Sequence, residues 1–238
     1  MSAASGPWLA IDTATDVTTV AVGVGGSALA IGRASRTAAG LLDMIDRSLA
    51  QAAYDRRDLR GVVVGTGPGS FTGLRVGTAT AKTMAHELDI AILGVPTAEG
   101  LARSAVTDDV GLIDRPLALL MPAGARDHYL TRLGCTADEC VADPTELLPP
   151  DADMASAVGG AVLIAIGAID PALSGPDARA RGEAAVDGLA AALLAICFSR
   201  LGQGGPADDA ATLVPDYVAL PRGLLAADQG MGWSPDLR

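Results

Sequence analysis

Two short stretches of the sequence carry residue types at spacings that suggest chemistry. In "VVVGTGPGSFTGLRVG" (62–77), three valines run into a loop bearing Gly65, Gly67, Gly69 and Gly73, and a helix-like stretch follows. A strand, a glycine loop and a helix can hold phosphate on the backbone N–H groups of the loop and first helical turn. Counting residues removes the familiar versions. A Walker loop needs a lysine directly after its last glycine, but Ser70 and Phe71 follow Gly69, and Lys82 lies too far along. The dinucleotide pattern GxGxxG ends on Ser70 when counted from Gly65 and on Thr72 when counted from Gly67. A GxSxG nucleophile elbow would need glycines where Pro68 and Thr72 stand. A general anion nest remains, built on Gly67, Gly69 and Ser70, with Arg75 able to assist.

The second stretch is "AIDTATDVTTVAV" (10–22), a carboxylate at a strand end followed by a threonine-rich turn. It resembles the first phosphate loop of the actin/Hsp70/sugar-kinase superfamily, with Asp12, Thr13 and Thr15 in the matching places. Active members carry a glycine in this turn, where Ala14 stands, and an aspartate in a second phosphate turn. The corresponding "LALLMPAGARDHYL" (117–130) has Pro122 and Ala123 there instead. Asp12, Thr13, Thr15, Gly67, Gly69 and Ser70 therefore read as vestigial phosphate loops. The competing reading is a self-sufficient ATPase or kinase that uses Asp12 and the Gly65–Gly73 loop.

Other chemistry finds less support. His86 and His128 are too far apart for a helical metal pair, and no nucleophile stands beside a base. The expectation is no catalytic residue and no metal site. Cys135, Cys140 and Cys197 are odd in number and lack CxxC spacing, so reduced thiols are expected rather than a disulfide or zinc framework. The first 105 residues hold nine basic and nine acidic side chains, whereas the remainder holds eight and nineteen. All of the net charge of −11 thus falls in the second half, which disfavours direct nucleic-acid binding. The N-terminus lacks a basic start, and the apolar run from Met154 to Ile169 is short and interrupted by glycines. No signal peptide, no membrane span and a cytoplasmic location are expected.

These residues must be positioned by a core of Ala, Val, Leu and Ile, because aromatics are only 3% of the chain. Leu9–Ile11, Val17–Val24 and Ala28–Ile31 predict a β-meander that turns at Gly25-Gly26. Leu41, Leu42, Ile45 and Leu49 fall at helical spacing, and the continuous "GVVVG" run suits a strand buried on both faces. On the helix after the glycine loop, Gly73, Gly77, Ala81 and Ala85 recur every fourth residue and form a flat face. That face lies either against this chain's own sheet or against a partner helix. A strand ending near Pro96 and a helix from Thr97 follow, and past about residue 105 the chain turns acidic and Pro-rich.

Taken together, "LAIDTATDVTTVAV" (9–22), "LLDMIDRSLAQA" (41–52), "VVVGTGPGSFTGLRVGTATAKTMA" (62–85) and "ILGVPTAEGLA" (92–102) resemble the TsaB (YeaZ) family. GPGSFTGLR is the most specific segment, and the likeness covers residues 8–105. "GARDHYL" (124–130) matches weakly, without the family's aspartate, and "LVPDYVALPRG" departs from the family's tail. The resemblance implies an α/β chain with a degenerate two-lobed actin-like (ASKHA) fold, each lobe a mixed sheet with flanking helices. The expected lobes are 1–107 and 108–238, with the tail 213–225 packing back on the first. It also implies a non-catalytic subunit that pairs with a TsaD paralogue, where ATP and metal reside, while binding no cofactor alone. A TsaE ATPase joins that assembly, tRNA is met only through the complex, and the isolated chain forms a homodimer. The implied partner surface comprises Leu41, Leu42, Ile45, Leu49, Gly73, Arg75, Gly77, Ala81 and Ala85.

Overall fold

The computed structural model describes residues 6–35, 40–124 and 126–218. The chain opens on the expected meander: β1 (Trp8–Asp12), β2 (Val17–Val24) and β3 (Ser27–Ser35), all antiparallel. Gly25 and Gly26 take φ of 59° and 83°, as a tight hairpin with two left-handed residues requires. Helix α1 (Leu41–Gln51) leads to β4 (Gly61–Gly65), and helix α2 (Phe71–Leu88) leads to β5 (Ala91–Val95). Both new strands add in parallel, giving the sheet order β3-β2-β1-β4-β5. Every residue of β1 and of β4 is buried, so this sheet is covered on both faces.

Helix α3 (Thr97–Asp108) bridges to the second sheet. That sheet contains β6 (Pro116–Ala123), β7 (Asp127–Cys135), β8 (Cys140–Ala142), β9 (Glu146–Leu148) and β10 (Val162–Ala165). Its order is β10-β6-β7-β8, with β9 also pairing β7. The short α4 (Met154–Val158) precedes β10. Helix α5 (Pro171–Gly202) follows it and is broken at Gly175, where φ is 72° and Pro176 comes next.

Period-two alternation sorts the first sheet's side chains. Leu9, Ile11, Val20, Val22, Val62 and Val64 pack with Leu41, Ile45 and Leu49 of α1 and with Ala81 and Ala85 of α2. Trp8, Ala10, Ala21 and Val63 point the other way, into a core shared with α3, α5 and β6. Helices α3 and α5 thus lie between the two sheets. By length and composition α5 resembles a membrane span, but its apolar character serves this sandwich, where Leu189, Leu193, Leu194 and Cys197 are fully buried. Two lobes result, each a mixed sheet with flanking helices, as the resemblance implies.

One expectation is overturned. Cys135 and Cys140 are joined by a disulfide across the β7–β8 hairpin, where they are register partners with Cα atoms 4.1 Å apart. A four-residue gap reveals nothing until the strands are known, because only hairpin pairing brings these side chains together. Cys197 stays free and buried.

Candidate functional site

β1, β4 and β5 are parallel neighbours, with Ile11 opposite Val64 and Gly65 opposite Val95. The turn after β1, the glycine loop after β4 and the start of α3 therefore leave the sheet at the same end, the carboxyl end where α/β sheets build sites. Asp12 sits at the centre with no solvent exposure. Its Oδ2 accepts the Thr97 hydroxyl at 2.7 Å and its Oδ1 accepts the Ala14 N–H at 2.8 Å. Burial pushes the Asp12 carboxyl up to about 6, against the opposing pull of those two donors.

The glycine loop is stitched onto this turn rather than opened to solvent. The Gly67 N–H donates to Thr97 Oγ1 at 3.1 Å, and the Ser70 N–H donates to the Ala14 carbonyl at 2.8 Å. Ser70 caps α2 by accepting the Gly73 N–H, while the Thr13 hydroxyl donates to the Gly73 carbonyl at 2.7 Å. Thr15 closes its own turn on Val17. The Ala14, Gly67, Ser70 and Gly73 amides are engaged within the chain. So is the carboxylate that would organise a metal. The six residues read from sequence as vestigial phosphate loops are all brought together here. Thr97, which ties the two loops, carried no sequence signal beyond its place after Pro96.

The glycines serve that stitching. A Cβ at Gly65 would strike the Asp12 carboxylate, one at Gly73 the Thr13 carbonyl, and one at Gly77 the Thr13 hydroxyl. Gly73 and Gly77 are buried against the Thr13 turn and Ala81 and Ala85 against the sheet, which corrects their assignment to a partner surface. Leu41, Ile45 and Leu49 require the same correction, being 1–3% exposed in the core beneath α1. The helical spacing is right, but a core-facing stripe and a partner-facing stripe look alike in sequence. Of the nine residues, Leu42 (58% exposed) and Arg75 remain at the surface. Arg75 lies over the Phe71 ring, 5.5 Å from its centre.

A cavity of about 240 Å³ opens between the lobes beside this turn, lined by Thr15, Asp16, Val17, the 165–167 strand end and α5. Three carboxylates face it, from Asp16, Glu183 and Asp187, against one guanidinium from Arg179. Asp187 also pairs with Arg33. That lining is predominantly acidic, and like charge repels a polyphosphate. Among the described residues, no group of three His, Cys, Asp or Glu side chains is placed to hold a metal.

The chain end contributes residues that spacing did not reveal. Asp208 bridges Ile92 at the β5 edge, Asp216 donates its N–H to the Thr66 carbonyl, and Tyr217 meets Phe71. Of the tail expected to pack back, 213–218 lie against the first lobe and 219–225 fall outside the described residues.

Comparison with known proteins gives this arrangement a family. The family model described as "TsaD: tRNA N6-adenosine threonylcarbamoyltransferase" matches residues 33–200, well over half of the chain. An uncharacterised protein of Mycobacterium tuberculosis (strain H37Rv) is 36% identical over 111 residues, 44% of this chain and 53% of the relative. The match therefore spans about half of that relative's length. The TsaB threonylcarbamoyladenosine biosynthesis protein of Haemophilus influenzae is 34% identical over 99 residues, 41% of this chain and 42% of that one. YeaZ from Pseudomonas aeruginosa superposes with a TM-score of 0.67 at 21% identity, covering 90% of this chain and all of that one. That likeness shows that the two chains share a fold. By the family match over residues 33–200, the chain belongs to the TsaD threonylcarbamoyltransferase family, and within it is similar to TsaB (YeaZ) proteins.

Proposed function

We propose that this chain is a non-catalytic subunit that binds and activates a TsaD threonylcarbamoyltransferase in making threonylcarbamoyladenosine in tRNA. The observation that carries this reading is Asp12, whose two carboxylate oxygens are held at zero exposure by Thr97 and Ala14. Burial that favours the neutral carboxyl and a hydrogen bond to each oxygen make Asp12 a poor organiser of a metal–phosphate cluster, which supports placing nucleotide and metal on the partner. The likeness to TsaB proteins supports the pathway. The partner face is the outer surface of α1 and α2, with Leu42 and Arg75 on it. Alone, the chain pairs with itself through the same face. A TsaE ATPase and tRNA enter only through the complex, in the cytoplasm.

The test is reconstitution of tRNA modification with purified TsaD and TsaE, with and without this chain. Modification is expected only when the chain is present and co-purifies with TsaD. Full modification without it overturns the proposal. So does magnesium-dependent ATP binding by the chain alone that is lost on Asp12→Ala, which would favour the ATPase reading.

A further inference from the structure

The segment 208–218 wraps the free edge of the first sheet. The Asp208 N–H donates to the Ile92 carbonyl at 2.9 Å, and its carboxylate accepts the Gly94 N–H at 2.7 Å. One residue thus occupies both a donor and an acceptor of the β5 edge, as a neighbouring strand would. Lys82 of α2 donates to the Ala211 and Leu213 carbonyls at 3.4 and 3.1 Å. Ala210 and Leu213 pack on the core beneath α2, whereas Val218 packs on the core between the sheets. The segment therefore crosses from one face of the sheet to the other. It crosses at the glycine loop, where the Asp216 N–H reaches the Thr66 carbonyl at 2.7 Å and Tyr217 meets the Phe71 ring at 5.0 Å.

The same segment is weakly anchored. It contains neither helix nor ladder, and Ala211, Thr212, Val214, Asp216 and Tyr217 are exposed. A segment held by a few solvent-accessible hydrogen bonds and little apolar burial opens at a lower free energy than the fold as a whole. At its far end, Asp216 and Tyr217 meet Thr66 and Phe71 of the glycine loop.

We propose that residues 208–218 form a detachable strap that orders the Gly65–Phe71 loop and the first turn of α2. Closed, the strap covers the β5 edge and the Phe71 ring. Open, it bares an unpaired strand edge and an aromatic side chain next to Arg75, and it loosens the base of α2. The device is intrinsic to this chain and does not rest on the choice of partner.

Hydrogen exchange of the full-length protein tests it, read peptide by peptide. Tyr217→Ala is expected to speed exchange in 66–75 by up to about tenfold while leaving β6 and β7 unchanged. Tyr217→Phe, which keeps the ring contact, is expected to retain wild-type protection. Asp208→Ala should speed exchange at 92–95 in the same local manner. Unchanged exchange in 66–75 for Tyr217→Ala overturns the proposal. A uniform rise across the chain also overturns it, since the tail would then be an ordinary part of the global fold.

Discussion

Thr97 and Asp12, 85 positions apart in sequence, form a hydrogen bond of 2.7 Å with both residues at zero exposure. The hydroxyl also accepts the Gly67 N–H, so one threonine joins the carboxylate, the glycine loop and the start of α3. Thr97→Val keeps the shape but removes donor and acceptor together, leaving a buried carboxylate oxygen and an amide without a partner. The expected loss is about 2–3 kcal/mol in a denaturant melt, largely restored by Thr97→Ser.

Asp12 also sets a pH dependence whose sign is unusual for a carboxylate. Its folded value of about 6 lies above the ordinary 3.8, so folding favours the protonated form. The contribution is fully present below pH 3.8 and is lost as pH rises through about 6, amounting to about 3 kcal/mol. Other carboxylates overlay this, so the measurement is the difference between wild type and Asp12→Asn. Relative to the variant, wild type should lose stability steadily from about pH 4 to about pH 6. A constant difference across that range would show that Asp12 does not titrate there.

The disulfide makes a third prediction. Cys135 and Cys140 close a short loop, with a sequence separation of 5. By the chain-entropy relation a loop of this size contributes about 2 kcal/mol. The paired Cys135→Ser, Cys140→Ser variant should lose about that unfolding free energy in a denaturant melt, with an unchanged far-ultraviolet spectrum. The hairpin is further tethered to α3, since Arg103 donates to the Ala137 carbonyl. Because the crosslink acts on the unfolded chain, every amide that exchanges only by global unfolding is expected to lose protection in the variant.

What could be read from the sequence follows from what local pattern encodes. β2 and the start of α1 fall where alternation and helical spacing put them. β8, β9 and α4, of three to five residues each, are too short for a period to register. The loop chemistry was legible as a set of residue types, because Asp12, Thr13 and the glycines had only to be counted. Their mutual hydrogen bonds depend on β1, β4 and β5 lying side by side, which no single stretch specifies. The direction of a small-residue face is likewise a property of tertiary packing. Regular spacing at Gly73, Gly77, Ala81 and Ala85 shows that something approaches closely, and Thr13 turns out to be part of it.

That outcome separates two mutations that spacing alone would treat alike. Gly77→Leu drives a side chain into Thr13 and should destabilise the isolated chain by about 3 kcal/mol or more, with or without a partner. Leu42→Asp alters a side chain that is 58% exposed on α1 and should leave stability within about 0.5 kcal/mol. Under the proposed pairing, that folded variant should fail to co-purify with TsaD and should elute as a monomer where wild type is dimeric. Normal pairing by folded Leu42→Asp would remove α1 from the partner face. Loss of pairing by Gly77→Leu would carry no such weight, because its fold is compromised first.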